Sequence, residues 1–340
     1  MHHWQARLTQ AWGRRGPLAW CLWPLSALLQ LVWNARRGLQ ALGLLGPPAD
    51  LPVPVWVVGN VLAGGTGKTP LLMALADWLG HQGVRVGVIS RGYGRTQTAL
   101  TGVTPMSHAD EVGDEPLLIH RHCGVPVWVG SDRVEAARAL LRAHPEVQLV
   151  LSDDGLQRLD LPRAVEWVVF DARGLGNGWL WPAGPLREPW PRPTAQGVRQ
   201  VTVRTHAEGP VGEHRVERRL ANHAQRADGQ VRPLTNWLGQ DVGALAGIAQ
   251  PEAFFAALRE QGLALTQTHA LADHARAWPV LTHPPADWFC TEKDAVKLWH
   301  HDPAVWAVGL EVHWSPELEA ELHHTLRWLG LSLPHGQQTA

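Results

Sequence analysis

Hydrophobic positions divide the chain before any motif is considered. From Gly16 to Trp33 the residues are almost wholly apolar, with Arg14 and Arg15 before them and Arg36 and Arg37 after. Residues 4–45 read as helix. The apolar run is short for a bilayer span, which needs about 20 apolar residues, and Pro17 and Pro24 interrupt it. Trp20, Trp23 and Trp33 with arginines on both sides suit a helix lying in a membrane interface. A cleaved signal peptide would require a small-residue cleavage pattern, and none follows; an ordinary buried helix is the plainer alternative.

Beyond it, strand and helix periods alternate. Leu51 to Val58 alternates and then turns β-branched, and Leu71, Leu72, Leu75 and Leu79 fall at helical spacing. Apolar strands follow at Val84–Ser90, Val125–Val129, Val147–Leu151 and Val165–Phe170, with helices through Leu117–Ile119 and through Ala136, Ala137, Leu140 and Leu141. This order predicts an α/β fold with a doubly wound, mostly parallel sheet. Gly174 to Pro189 is too rich in turn formers to be a regular element and reads as a structured loop over the site. Short β-like pieces and polar sequence over 201–234 read as a linker. A second, smaller α/β unit begins near Ala244, takes in a helix from Pro251 and the segment Trp288–Asp294, and closes with a helix from Pro316 to Leu329. The expected domains are 1–45, 46–200, 201–234 and 235–340, in keeping with a 340-residue chain.

Composition narrows this only a little. Lys plus Arg at 30 against Asp plus Glu at 31 gives a net charge of -1, so no global charge argues for nucleic acid. Cys21, Cys123 and Cys290 are too few and too scattered for a disulfide set or a zinc site, which suits a reducing compartment. There are 19 Trp against 4 Phe and 1 Tyr, a bias with no site-level explanation in the sequence.

Candidate chemistry centres on Gly64-Gly65-Thr66-Gly67-Lys68-Thr69, between a strand and a helix start. Glycines let successive N–H groups converge on phosphate, Lys68 supplies a point charge, and the Thr69 hydroxyl is placed to ligate Mg²⁺. The pattern is a variant P-loop, because Leu62 stands where the first glycine of G-x-x-x-x-G-K-[ST] is usual. ATP and Mg²⁺ are the implied cofactors. Asp153, at the end of an apolar strand, fits the acid that meets the metal. Arg91 and Arg95 lie on a glycine-rich loop after a strand, either a solvated turn or an anion site where ligands of open α/β sheets collect. Asp114 and Glu115 open a helix, either as dipole-favoured residues or as a base and a metal ligand. Lys293 and Asp294 are adjacent, so this is not the Lys-x-Asp guanine reader.

Together these segments resemble one family, the tetraacyldisaccharide 4'-kinases of lipid A biosynthesis. The likeness covers residues 55 to about 300 in order. It rests on Val58-Gly59-Asn60 with Gly64 to Pro70, Ser90-Arg91-Gly92-Tyr93-Gly94, Gly113-Asp114-Glu115-Pro116, Asp153-Asp154-Gly155-Leu156-Gln157, Leu180 to Pro189, Gly247-Ile248, Asp273-His274 and Thr291 to Leu298. Arg158 and Ala275 stand where the family tends to have His. The resemblance implies transfer of the ATP γ-phosphoryl group to the 4'-hydroxyl of a lipid A disaccharide phosphate, giving lipid IVA, on the cytoplasmic face of the inner membrane. It implies an acid–base dyad of Asp114 and His274 that meets when the second domain closes over nucleotide, alongside Lys68. Thr69, Asp153 and Glu115 are the metal candidates, and Arg91, Tyr93, Arg95, Asp154, Arg187 and Glu188 the substrate contacts. A membrane-bound ATPase switch and a soluble small-molecule kinase are the alternatives.

Overall fold

A computed structural model of the chain describes residues 12–44, 48–206, 211–273, 275, 278–281 and 284–331. The first helix, α1, is Pro17–Ala41; residues 4–11 and 45 of the helix expected over 4–45 lie outside the described residues. Pro17 sits at its first turn, where a missing N–H costs nothing. The helix runs on through Pro24 instead of being interrupted there.

The chain then forms β1 (Val55–Gly59), α2 (Lys68–His81), β2 (Val86–Ser90), β3 (Thr101–Gly102), α3 (Ala109–Val112), α4 (Asp114–Cys123), β4 (Val127–Val129), α5 (Arg133–Ala143), β5 (Leu149–Asp153), β6 (Val165–Phe170) and β7 (Arg199–Arg204). It continues as β8 (His214–Gln225), β9 (Val231–Pro233), β10 (Asp241–Ala246), α6 (Pro251–Glu260), β11 (Ala264–Ala270), β12 (Asp287–Thr291), α7 (Glu292–Leu298), β13 (Trp306–Trp314) and α8 (Pro316–Trp328).

Two compact units share these elements. The first comprises residues 1–91, 132–217 and 314–340, the second 92–131 and 218–313. Segment 92–131, placed by sequence in the nucleotide domain, thus clusters with the second unit, and 314–340 clusters with the first.

In the first unit the strands run parallel in the order β7-β6-β1-β5-β2, with the start of β8 on β7. β1, β5 and β6 are buried along their whole length, as strands covered on both faces must be. The register pairs Val58 with Asp153, so the loops leaving β1 and β5 start level with one another. Trp56 and Trp167 pack on these central strands with ring centroids 5.8 Å apart.

In the second unit β11-β10-β12-β13 form a parallel sheet, and β8 and β9 pair antiparallel. Its core includes Trp237, Phe255, Phe289 and Trp306. The Trp237 and Trp306 indoles each donate to one oxygen of Asp287, both at 2.9 Å, which satisfies two buried polar edges with one carboxylate. The 201–234 linker carries the 12-residue strand β8, longer than the short pieces expected there, because its alternation is masked by polar residues on the half-exposed face.

Candidate active site

The first unit gathers charge at the mouth of α2. Gly59 ends β1, and a side chain there would strike Leu156 at 2.6 Å. The loop turns through Gly64 (φ 93) and Gly67 (φ 83), conformations in which L side chains are strained. No side chain caps α2, so the N–H groups of its first turn face outward, as anion binding requires. Nothing lies within 4 Å of where a Cβ on Gly65 would sit, and the buried Thr66 hydroxyl has no partner among the described residues. An open backbone cradle with an unsatisfied hydroxyl is what a polyphosphate needs, so the residues fit ATP.

Lys68 reaches back over this loop. Its Nζ lies 3.2 Å from Asn60 Oδ1 and 3.5 Å from Asp154 Oδ1, while Asn60 Nδ2 donates to the Gly64 carbonyl at 3.2 Å. Arg187 Nη1 lies 2.9 Å from both oxygens of Asp154. Burial works to raise the pKa of Asp154, but the charges and hydrogen bonds of Lys68 and Arg187 prevail and hold it below the ordinary carboxylate value. Asp154 also adopts a positive φ of 52, uncommon outside glycine.

Asp153 Oδ2 accepts from the Ser90 hydroxyl at 3.0 Å in a buried setting. Beneath the two aspartates, burial brings the Arg133 guanidinium down to about 10, against their opposing pull; it stays charged at neutral pH. Among the described residues no group of three or more His, Cys, Asp or Glu could hold a metal. Thr69 is half-buried in the first turn of α2.

Two supports escaped the sequence. Arg173 pairs with Asp171 at 2.6 Å and donates to the Ala63 and Gly65 carbonyls at 3.0 and 3.3 Å, so the loop's carbonyls turn toward it. Gln157 donates to the Asn60 carbonyl at 3.2 Å and to Glu188 at 2.8 Å. Glu188, expected among the substrate contacts, is instead wholly buried against Gln157 and Arg192, where it braces the loop.

The second unit carries the other candidates. Gly113 (φ 96) precedes Asp114, and a Cβ on it would press Gly92 Cα and the Tyr93 carbonyl, both at 3.0 Å. Tyr93 is exposed, and Arg95 is tied to its own loop through the Ala99 and Thr98 carbonyls. Arg91, which ends the opening segment of the first unit, is exposed, and Glu115 is half-buried.

Lys297 Nζ lies 2.8 Å from Asp114 Oδ2 and 3.1 Å from the Ala275 carbonyl, over the Trp278 ring. His274 itself lies outside the described residues. Its chain neighbour Ala275 is nevertheless within one lysine of Asp114 inside a single unit, so nearness of the two segments does not depend on closure over nucleotide. Arg121 donates to the Val296 carbonyl at 3.0 Å and His122 meets Glu292 at 3.2 Å, pinning α4 to α7.

α1 lies along the loop after β6. Trp12, Arg15, Trp33 and Arg37 donate to the carbonyls of Pro182, Asn177, Arg187 and Pro193, and Arg15 also stacks over Trp179. Trp20, Leu25, Leu28, Leu31 and Val32 remain exposed. By length and composition α1 could cross a membrane. A groove of about 250 Å³ separates α1 from Trp181 and Leu186, smaller than the roughly 300–1,000 Å³ of a ligand pocket.

Residues 18–327 match the family model for tetraacyldisaccharide-1-P 4'-kinase. A tetraacyldisaccharide 4'-kinase of Verminephrobacter eiseniae is 49% identical over 320 residues, covering 92% of this chain and 73% of its own length. One of Acidovorax sp. is 48% identical over 316 residues, covering 91% of each. The crystal structure of LpxK from Aquifex aeolicus in complex with ATP aligns with a TM-score of 0.75 at 25% identity, over 92% of this chain and 99% of that one. A lysine-bearing phosphate cradle, a paired aspartate beside it and these matches over nearly the whole length place the chain in the tetraacyldisaccharide-1-P 4'-kinase family.

Proposed function

We propose that this chain transfers the γ-phosphoryl group of ATP to the 4'-hydroxyl of the tetraacyldisaccharide 1-phosphate precursor of lipid A, giving lipid IVA, on the cytoplasmic face of the inner membrane. Membership of the family carries the reaction. The observation that carries the site is the Lys68–Asp154–Arg187 cluster at the open start of α2.

In this reading the N–H groups of residues 64–69 hold the β- and γ-phosphates and Lys68 balances their charge. Thr69, Asp153 and Glu115 are the candidates to hold Mg²⁺, which would neutralise charge on the transferred group. Asp114 takes the proton of the 4'-hydroxyl as the bond from that oxygen to phosphorus forms and the bond to ADP breaks. His274 supports the proton transfer, and Lys297 fixes the Asp114 carboxylate by gripping one of its oxygens. Arg91, Tyr93 and Arg187 are the remaining substrate-contact candidates. The exposed apolar face of α1 meets the membrane that holds the lipid, while its opposite face stays bonded to the loop after β6.

The test is acceptor choice. Purified protein with ATP should convert tetraacyldisaccharide 1-phosphate to a bisphosphate and leave its 4'-deoxy analogue unchanged. Phosphorylation of the analogue would refute the assigned hydroxyl.

A further inference from the structure

A lipid-facing helix needs no buried hydroxyl, yet α1 has one. Ser26 is the sole Ser or Thr of the 16–33 run and is 3% exposed. Its hydroxyl donates to the Leu180 carbonyl at 2.8 Å and accepts the Ala183 N–H at 2.9 Å. Trp33, two helical turns on and so on the same face, donates its indole N–H to the Arg187 carbonyl at 3.0 Å. Both residues therefore grip one strap, 180–187.

The strap's other side is bonded to the approach of the phosphate loop. The Arg187 N–H donates to the Val61 carbonyl and the Ala63 N–H to the Pro185 carbonyl, each at 2.7 Å. From the same residue the Arg187 side chain reaches Asp154, which faces Lys68. One residue thus touches α1 through its carbonyl, the approach to the phosphate loop at Val61 through its amide, and the charged centre through its guanidinium. Hydrogen bonds are directional, so a shift of α1 passes to Arg187 where apolar contacts alone would let it slide.

We propose that Ser26 and Trp33 are positioning residues of the kinase: through strap 180–187 they hold Arg187 on Asp154, so the seating of α1 on a lipid surface sets the geometry around Lys68. This rests on the reading of residues 64–69 as the phosphate site.

The test compares Ser26→Ala, Trp33→Phe and Arg187→Ala, alone and combined, in lipid-containing assays. Trp33→Phe keeps a ring and removes only the N–H. Each of the first two should lower kcat about fivefold to tenfold, the scale of one lost hydrogen bond, with KM for ATP and flotation on phospholipid vesicles unchanged. In the Arg187→Ala background Trp33→Phe should cost nothing further, because both act through one contact. Wild-type kcat in Trp33→Phe, or a full additional loss in the Arg187→Ala background, overturns the proposal. If Ser26→Ala does not fold, the Trp33→Phe and Arg187→Ala pair decides alone. Lys68→Ala separates the two readings: wild-type turnover there removes the phosphate site itself, whereas an inactive Lys68→Ala beside a normal Trp33→Phe removes only the coupling.

Discussion

Asp154 concentrates the cost and the use of this site in one residue. It holds a left-handed backbone beside two cations, and strain of this kind persists where surrounding contacts over-determine it. Asparagine tolerates the same backbone, so Asp154→Asn removes the charge and little else. Turnover should fall at least tenfold, because Lys68 and Arg187 lose the anion that orients them. The pH dependence has a definite sign. A carboxylate whose pKa is depressed on folding contributes stability above its unfolded value, about 3.9, and that contribution is lost as pH falls through the lower folded value. Melting curves of wild type and Asp154→Asn should therefore differ by a constant amount from pH 7 to about pH 5, begin to converge near pH 4 and meet only below the depressed folded value. A gap that widens in acid would contradict the assigned pairing.

Among the elements, α1 makes the most direct claim on the outside of the molecule. Cys21 is exposed on it, whereas Cys290 is buried with its thiol pushed well above the usual value. A polar maleimide should label Cys21 in lipid-free protein, lose access to it when anionic vesicles are added, and spare Cys290 in both. Equal labelling of Cys21 with and without vesicles would place α1 away from the bilayer. Much of this layer was legible in the chain, because α2 carries apolar residues at helical spacing and β5 and β6 are mostly apolar. β11 was not, since no residue of Ala264–Ala270 is fully buried and its Thr and Gln positions hide the period. The site divides the same way. The phosphate loop is a local motif, but Arg173 reaches it from 110 residues away and Lys297 reaches Asp114 across 183. Partners brought together only by folding leave no mark on spacing. Segment 92–131 joins the second unit through Arg121 and His122 on α7, a long-range fit with no local signature.

At the scale of the whole molecule the residues of the proposed function fall in two units, Lys68, Asp154 and Arg187 in the first and Asp114 and Lys297 in the second. Asp114→Ala and His274→Ala should each lower turnover strongly with ATP affinity little changed, and the double variant should be hardly worse than the poorer single one. Lys297→Met should likewise reduce turnover and spare ATP affinity, since it grips Asp114 and not the phosphate loop; near-normal turnover in any of the single variants would release that residue from the assigned chemistry. The most direct measurement follows label from γ-labelled ATP in the presence and absence of tetraacyldisaccharide 1-phosphate. ADP should form only with the lipid, one labelled phosphate should enter the lipid for each ADP, and Lys68→Ala should give neither. Release of labelled inorganic phosphate at the same rate with or without lipid, with none transferred, would make the chain an ATPase and contradict the account.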